Sequence, residues 1–324
     1  RQGETHFVTK GYDIRAWQPG DEAAILDLFQ ASFGRSLTPD FWKWRFNDHP
    51  AGGPLVMLAW DGDRLAAHYG ASQAPLWATD TVLPAALSMT TMTHPDDRGR
   101  GLVEALGGAL YESLRADGYV AAWGFPNAMI NATRRRKLGW VPVDDVAMLS
   151  LKTADARVQP ADPALKVGTV AAIDARFGAL QAQLARPGTL EGLRDTAVLH
   201  WRVDANPVND YTRYVIAEGD RIGGYAITKS FGDLATDIVD LRAVDDAHVT
   251  ALLGAVMQQA RAASVGQVNC WCLRMDPARI ATERAGFAAT APVTYFAGRC
   301  FDPAIRHFPD ARSWRLTMLD SDLY

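Results

Sequence analysis

The chain has little of what would mark an extracellular, membrane-bound or nucleic-acid-binding protein. It holds only three cysteines, Cys270, Cys272 and Cys300, an odd number that cannot all pair. A disulfide framework is therefore excluded, no partners for metal ligation stand near them, and buried reduced thiols with no metal are the expectation. No apolar run reaches the ~18 residues of a membrane span. The opening residues, Arg1-Gln2-Gly3-Glu4-Thr5-His6, are polar where a signal peptide would be apolar. A cytoplasmic protein with no membrane partner is expected. Neither sign of charge dominates, with 33 Lys and Arg against 37 Asp and Glu and a net charge of −4, which speaks against a general nucleic-acid binder. The G-x-x-x-x-G-K-[ST] loop is absent, and so is a complete G-x-G-x-x-G.

What is present is ordinary globular material, 48% apolar over 324 residues, long enough for two domains with a core each. The most informative stretch runs from Thr91 to Val103 (TMTHPDDRGRGLV). A β-prone run, Ala85 to Thr93, is stopped by Pro95 and the turn residues Asp96 and Asp97. Gly99 and Gly101 follow, with Arg98 and Arg100 beside them. Leu102, Val103, Leu106, Leu110 and Leu114 then recur at helical spacing until Gly118. The order strand, glycine-rich turn, helix has a use: the first amides of a helix have no intrahelical partner and lie at the positive end of its dipole. Such a turn can hold a phosphate, or it can be only a tight connection.

The block H-P-D-D-R-G-R-G-L, followed by G-Y-V-A-A-W-G-F-P-N and then K-L-G-W, resembles the acetyl-CoA-dependent N-acyltransferases of the GNAT superfamily over roughly residues 10–150. Arg98-Gly99-Arg100-Gly101-Leu102-Val103 stands at the family's R/Q-x-x-G-x-G/A pyrophosphate loop, departing only at Val103. The resemblance implies acetyl-CoA, or another acyl-CoA, as donor. Pantetheine would lie along Thr91, Met92 and Thr93 like an added strand, and pyrophosphate on the amides from Gly99 to Val103. Asn127 would face the pantetheine arm, or it would cap a turn or helix. The family's strand glutamate is missing, since Leu87 and Ser88 stand at that level. Its helix tyrosine, a general acid, is replaced at about Arg135. His94, His68 and Tyr69 are the substitutes to consider as catalytic groups. His68 and Tyr69 point to opposite faces of a strand, so at most one reaches a cleft. The run Arg134-Arg135-Arg136-Lys137 is a solvated helix face or a seat for the ribose 3′-phosphate.

The chain also reads as two copies. Trp44-Arg45 and Asp61-Gly62-Asp63-Arg64 find counterparts 157 positions on, at Trp201-Arg202 and Glu218-Gly219-Asp220-Arg221. The polar, proline-bearing segment 153–163 is the expected linker between domains 1–152 and 164–324. An α/β fold is expected, with two tandem GNAT-like domains, each a mixed, mostly antiparallel sheet flanked by helices. The second copy has Val244-Asp245-Asp246-Ala247-His248 in place of the glycine and arginine pairs, so a single acyl-CoA site is expected, in the first. The expected activity is acyl transfer to a small-molecule amine, such as an amino sugar or amino acid. A non-catalytic acyl-CoA sensor, and an aminoacyl-tRNA-dependent transferase of the peptidoglycan type, are the alternatives. Acceptor identity, acyl length and oligomeric state are open.

Overall fold

A computed structural model describes residues 7–9, 11–157 and 162–322 of the chain. Its strands and helices, in chain order, are β1 (Phe7–Thr9), β2 (Tyr12–Ala16), α1 (Glu22–Phe33), α2 (Pro39–Trp42), β3 (Leu55–Asp61), β4 (Arg64–Gln73), β5 (Leu76–Ala78), β6 (Thr81–Leu83), β7 (Ala85–Thr93), α3 (Leu102–Ala116), β8 (Ala121–Gly124), α4 (Ala128–Lys137) and β9 (Val141–Lys152). A similar order then returns, with a strand between its first two helices and, among the described residues, no counterpart of β5 and β6: β10 (Val167–Val170), α5 (Ala175–Leu184), β11 (Leu190–Gly192), α6 (Thr196–Leu199), β12 (Thr212–Glu218), β13 (Arg221–Phe231), β14 (Ala235–Ala243), α7 (Asp246–Ala262), β15 (Gln267–Cys270), α8 (Arg279–Ala285) and β16 (Ala288–Cys300), followed by β17 (Trp314–Arg315). The expected mixed α/β architecture is present. Among the described residues no helix is long and apolar enough to cross a membrane.

The chain divides into two units. Unit 1 is Arg1–Pro75, Leu83–Val143 and Tyr295–Pro309; unit 2 is Leu76–Val82, Asp144–Thr294 and Asp310–Tyr324. This differs from the sequence expectation of a cut at 153–163, part of which, residues 158–161, lies outside the described residues. The reason is strand pairing. Leu149–Lys152 of β9 forms an antiparallel ladder with β15, in unit 2. The strand that pairs with β8 in unit 1 is instead Ala297–Cys300 of β16. Backbone hydrogen bonds, not a polar linker, decide which strand belongs to which unit.

Within unit 1 the sheet is antiparallel through β1, β2, β3, β4 and β7, and then parallel from β7 to β8. Helix α3 puts Leu102, Leu106, Leu110 and Leu114 into a core with Ile14, Tyr69, Tyr111 and Trp140, as its apolar spacing dictates. Unit 2 repeats the pattern, with α7 packed on Ile216, Ala226 and Val268. The aromatic stretch after α1 is a short helix with Thr38 as its N-cap, continuing into a wide π-type turn at Lys43–Asn47 that buries Trp44, Arg45 and Phe46. Packing is thus the role of these side chains. Cys270 and Cys272 are buried thiols, as expected, and burial pushes Cys270 up to about 12.

Candidate active site

The site begins where β7 loses its regular partners. Strands β7 and β8 pair over Ala85–Leu87 and Ala121–Trp123 only. From Ser88 onward the described ladder of β7 is with β4 alone, so one edge of its backbone is open to a ligand that can add as a strand. The other ladder carries a bulge: His68 faces Met92 and Gly70 faces Met89, leaving Thr90 and Thr91 opposite Tyr69. Thr90 takes a left-handed φ of 49°. The extra residue resets the alternation of side chains, and Ser88 and Thr91 come to share one partner, the guanidinium of Arg134.

His68 holds the bulge from within. Its Nδ1 lies 2.7 Å from the Thr90 carbonyl oxygen; that oxygen only accepts, so Nδ1 carries the proton. Nε2 is then an acceptor, buried with no hydrogen-bond partner among the described residues. Burial lowers the His68 imidazole to about 4, which makes it a poor base. Tyr69 is also completely buried; its hydroxyl lies 2.6 Å from that of Tyr111 and accepts from Arg134 Nε at 2.9 Å. At most one of the two is expected to reach a cleft; both are buried, and the strand is covered on both faces at this point. His94 keeps access, with its side chain 25% exposed. Its Nδ1 accepts from the Asp96 amide at 3.3 Å, which makes it a cap of the turn Pro95–Asp97.

The loop after His94 is shaped by Asp97, which is 1% exposed. Asp97 accepts from Arg64 Nη1 at 2.6 Å and from the Tyr12 hydroxyl at 2.7 Å. The Arg64 hydrogen bond holds its carboxyl below the usual range against the opposing effect of burial. Arg100 donates to the same Tyr12 hydroxyl at 2.8 Å, so one of the two loop arginines is a brace. Arg98 is exposed and has no partner among the described residues. Gly99 and Gly101 adopt φ of 76° and 77°. A Cβ at either would meet nothing within 4 Å, so the left-handed backbone is what demands glycine here. The amides of Gly99, Arg100 and Gly101 find no acceptor among the described residues. Those of Leu102, Val103 and Glu104 are the first of α3 and lack intrahelical partners. The Val103 side chain is partly buried against the core.

Asn127 is the N-cap of α4, its Oδ1 accepting from the Ile130 amide at 3.1 Å; this is the capping alternative. The sequence named Arg134 only within the basic run 134–137, as part of a solvated helix face or a phosphate seat, and its burial sets it apart from the rest of that run. It is 2% exposed, with Nη2 at 2.8 Å from Ser88 Oγ and 3.1 Å from Thr91 Oγ1. Its guanidinium carbon lies 4.5 Å from the centre of the Trp140 ring and 5.4 Å from that of Tyr69. No carboxylate pairs with it among the described residues. Arg135, Arg136 and Lys137 are exposed, Lys137 reaching Glu104 at 3.7 Å.

Unit 2 is different at the matching place. Asp245 caps α7 through its own side chain, and His248 lies 2.7 Å from Asp245 and 2.8 Å from Glu218. Carboxylates stand where unit 1 offers open amides. Among the described residues no group of three or more His, Cys, Asp and Glu side chains is arranged to hold a metal ion.

Residues 13–143 match a family of acetyltransferase (GNAT) domains. Among solved structures, a GCN5-related N-acetyltransferase from Anabaena variabilis ATCC 29413 superposes with a TM-score of 0.72 at 14% identity, over 92% of this chain and 75% of that one. Another from Kribbella flavida gives 0.70 at 18% identity, over 92% and 73%. Eis1 from Mycobacterium abscessus gives 0.62 at 18% identity, over 92% and 76%. No curated protein matches the chain in sequence. Identities this low establish the fold and leave the substrate open.

Proposed function

We propose that the chain, whose residues 13–143 match a family of acetyltransferase (GNAT) domains, is an N-acyltransferase with one acyl-CoA site, in unit 1. The observation that carries this reading is the pairing of two open backbone surfaces on one strand and the helix after it. The unpaired edge of β7 beyond Leu87 suits a pantetheine chain. The amides from Gly99, with no acceptor among the described residues, and Arg98 beside them, with no partner among the same residues, suit its pyrophosphate. Thr91, Met92 and Thr93 would supply backbone to the former, Gly99 to Val103 to the latter. Acetyl-CoA is the default donor and a small-molecule amine the acceptor. The neutral amine attacks the thioester carbonyl carbon in a ternary complex, the C–N bond forms, the C–S bond breaks with CoA leaving as the thiolate with the electron pair, and the nitrogen gives up one proton to solvent or to that thiolate. With His68 and Tyr69 buried, His94 is the one of the three catalytic candidates with solvent access, and proximity carries much of the rate.

Calorimetry of acetyl-CoA with the wild type and Gly101→Asp tests the reading. Aspartate tolerates the left-handed conformation better than most residues, so the fold is retained while a negative charge enters the anion seat. One-to-one binding lost in the variant is expected; equal binding to both would sink the proposal. The burial of both strand candidates favours a second reading, a non-catalytic acyl-CoA sensor. Turnover of any amine in a broad panel removes it.

A further inference from the structure

Arg134 is a buried cation without a counter-ion among the described residues. Burying a charge is costly unless a partner meets it, yet its partners are three neutral hydroxyls and two aromatic faces. These take up Nε and Nη2. Nη1 has no acceptor among the described residues. Nor is the guanidinium placed at the anion loop: Ser88 and Thr91 lie on the stretch of β7 that has lost β8. The part of an acyl-CoA that would run along that stretch is the pantetheine and its thioester, which carries no charge until the reaction is under way.

We infer that Arg134 supplies the positive charge that meets the departing CoA thiolate, a proposal that rests on the acyl-CoA reading above. In that step the amine nitrogen bonds to the acyl carbon, the C–S bond breaks and sulfur keeps the pair. The proton shed by the amine goes to solvent or to the thiolate. A guanidinium does not give up its proton in proteins, so Arg134 stabilises the leaving group as a charge and a hydrogen-bond donor. The customary tyrosine would instead donate a proton. Fixed dipoles and charges aimed at the place where charge develops are an effective form of catalysis. The bulge at Thr90 and Thr91 brings this about, because only the reset alternation puts Ser88 and Thr91 on one face to hold Nη2.

The test reads the thiol itself and needs no acceptor. Free coenzyme A is bound to the full chain, and its thiol is titrated through the ultraviolet absorbance of the thiolate. In the wild-type complex the thiol should titrate at least about tenfold more readily, one pH unit lower, than in free CoA. Arg134→Gln should abolish that shift while retaining CoA binding, and Arg134→Lys should restore part of it. Should the glutamine variant not fold, a wild-type comparison carries the test: affinity for CoA should rise with pH through the thiol titration, while affinity for S-methyl-CoA should not. An unshifted thiol in the wild-type complex, the same shift in wild type and Arg134→Gln, or parallel pH profiles for the two ligands would overturn the inference and leave the acyl-CoA reading standing. Failure of the wild type to bind CoA at all would overturn both.

Discussion

Asp97 shows how one buried carboxylate can govern a glycine-rich loop. It gathers Arg64, Tyr12 and, at 3.7 Å, Arg100, and so fixes the path of the chain into Gly99 and Gly101 without touching them. Asp97→Asn keeps the shape and removes the charge, leaving Arg64 and Arg100 without their shared partner. It should cost about 1–3 kcal/mol, the usual range for an unmade buried hydrogen bond, read by urea unfolding, and it should weaken CoA binding by calorimetry. A variant as stable as the wild type would mean that Asp97 is incidental to the loop. The glycines were legible in the sequence because the turn motif calls for them. Asp97 was legible only as a turn former, since its partners lie 33 and 85 positions away in the chain. Arg134 was hidden in a run of four basic residues. The clue was its spacing from Asn131 and Leu138, which places it on the buried side of α4.

At the scale of elements, the opening beside β7 depends on how β8 ends. Gly124 follows Trp123, the last residue of β8 paired with β7, and a Cβ there would stand 2.9 Å from the Ser88 carbonyl oxygen. Backbone on both sides leaves that contact no flexible side chain to yield. Gly124→Ala should therefore displace β8 from β7, costing about 1–3 kcal/mol as overpacking does. CoA affinity should fall with stability; a variant that loses stability and binds CoA as before would separate β8 from the site. The repeat was readable at this scale. The strand starts Leu55 and Thr212, and Arg64 and Arg221, and the π-type turns at Lys43–Asn47 and His200–Asp204, all stand 157 positions apart, the offset of the shared short strings. The choice of closing strand was not readable. β9 and β16 each follow a helix, and nothing local tells one from the other; their ladders with β15 and β8 are set by tertiary pairing.

For the whole molecule, unit 2 has turned its charges on itself. Arg194 bridges Asp240 and Asp320, and Arg242 pairs with Glu191, all of them buried. Burial alone would raise the Asp240 carboxyl, but Arg194 and Arg242 outweigh it and hold it well below the ordinary value. At the start of α7 the same economy has a titratable member. Burial would lower the His248 imidazole, yet hydrogen bonds to Asp245 and Glu218 prevail and raise it above its ordinary value. A group whose folded value is raised adds stability that is fully present below its unfolded value, near 6.5, and lost as pH climbs through the folded value. The wild type should therefore lose more stability than His248→Gln between about pH 6 and the alkaline side of that raised value. The gap between the two proteins in urea unfolding should narrow over that window. A gap that stays constant would show that the imidazole is held by packing and not by its charge. CoA binding in unit 1 should keep its one-to-one stoichiometry in His248→Gln. Removing the imidazole leaves Asp245, Asp246 and Glu218 in place, and these repel an anion whether or not a histidine stands among them.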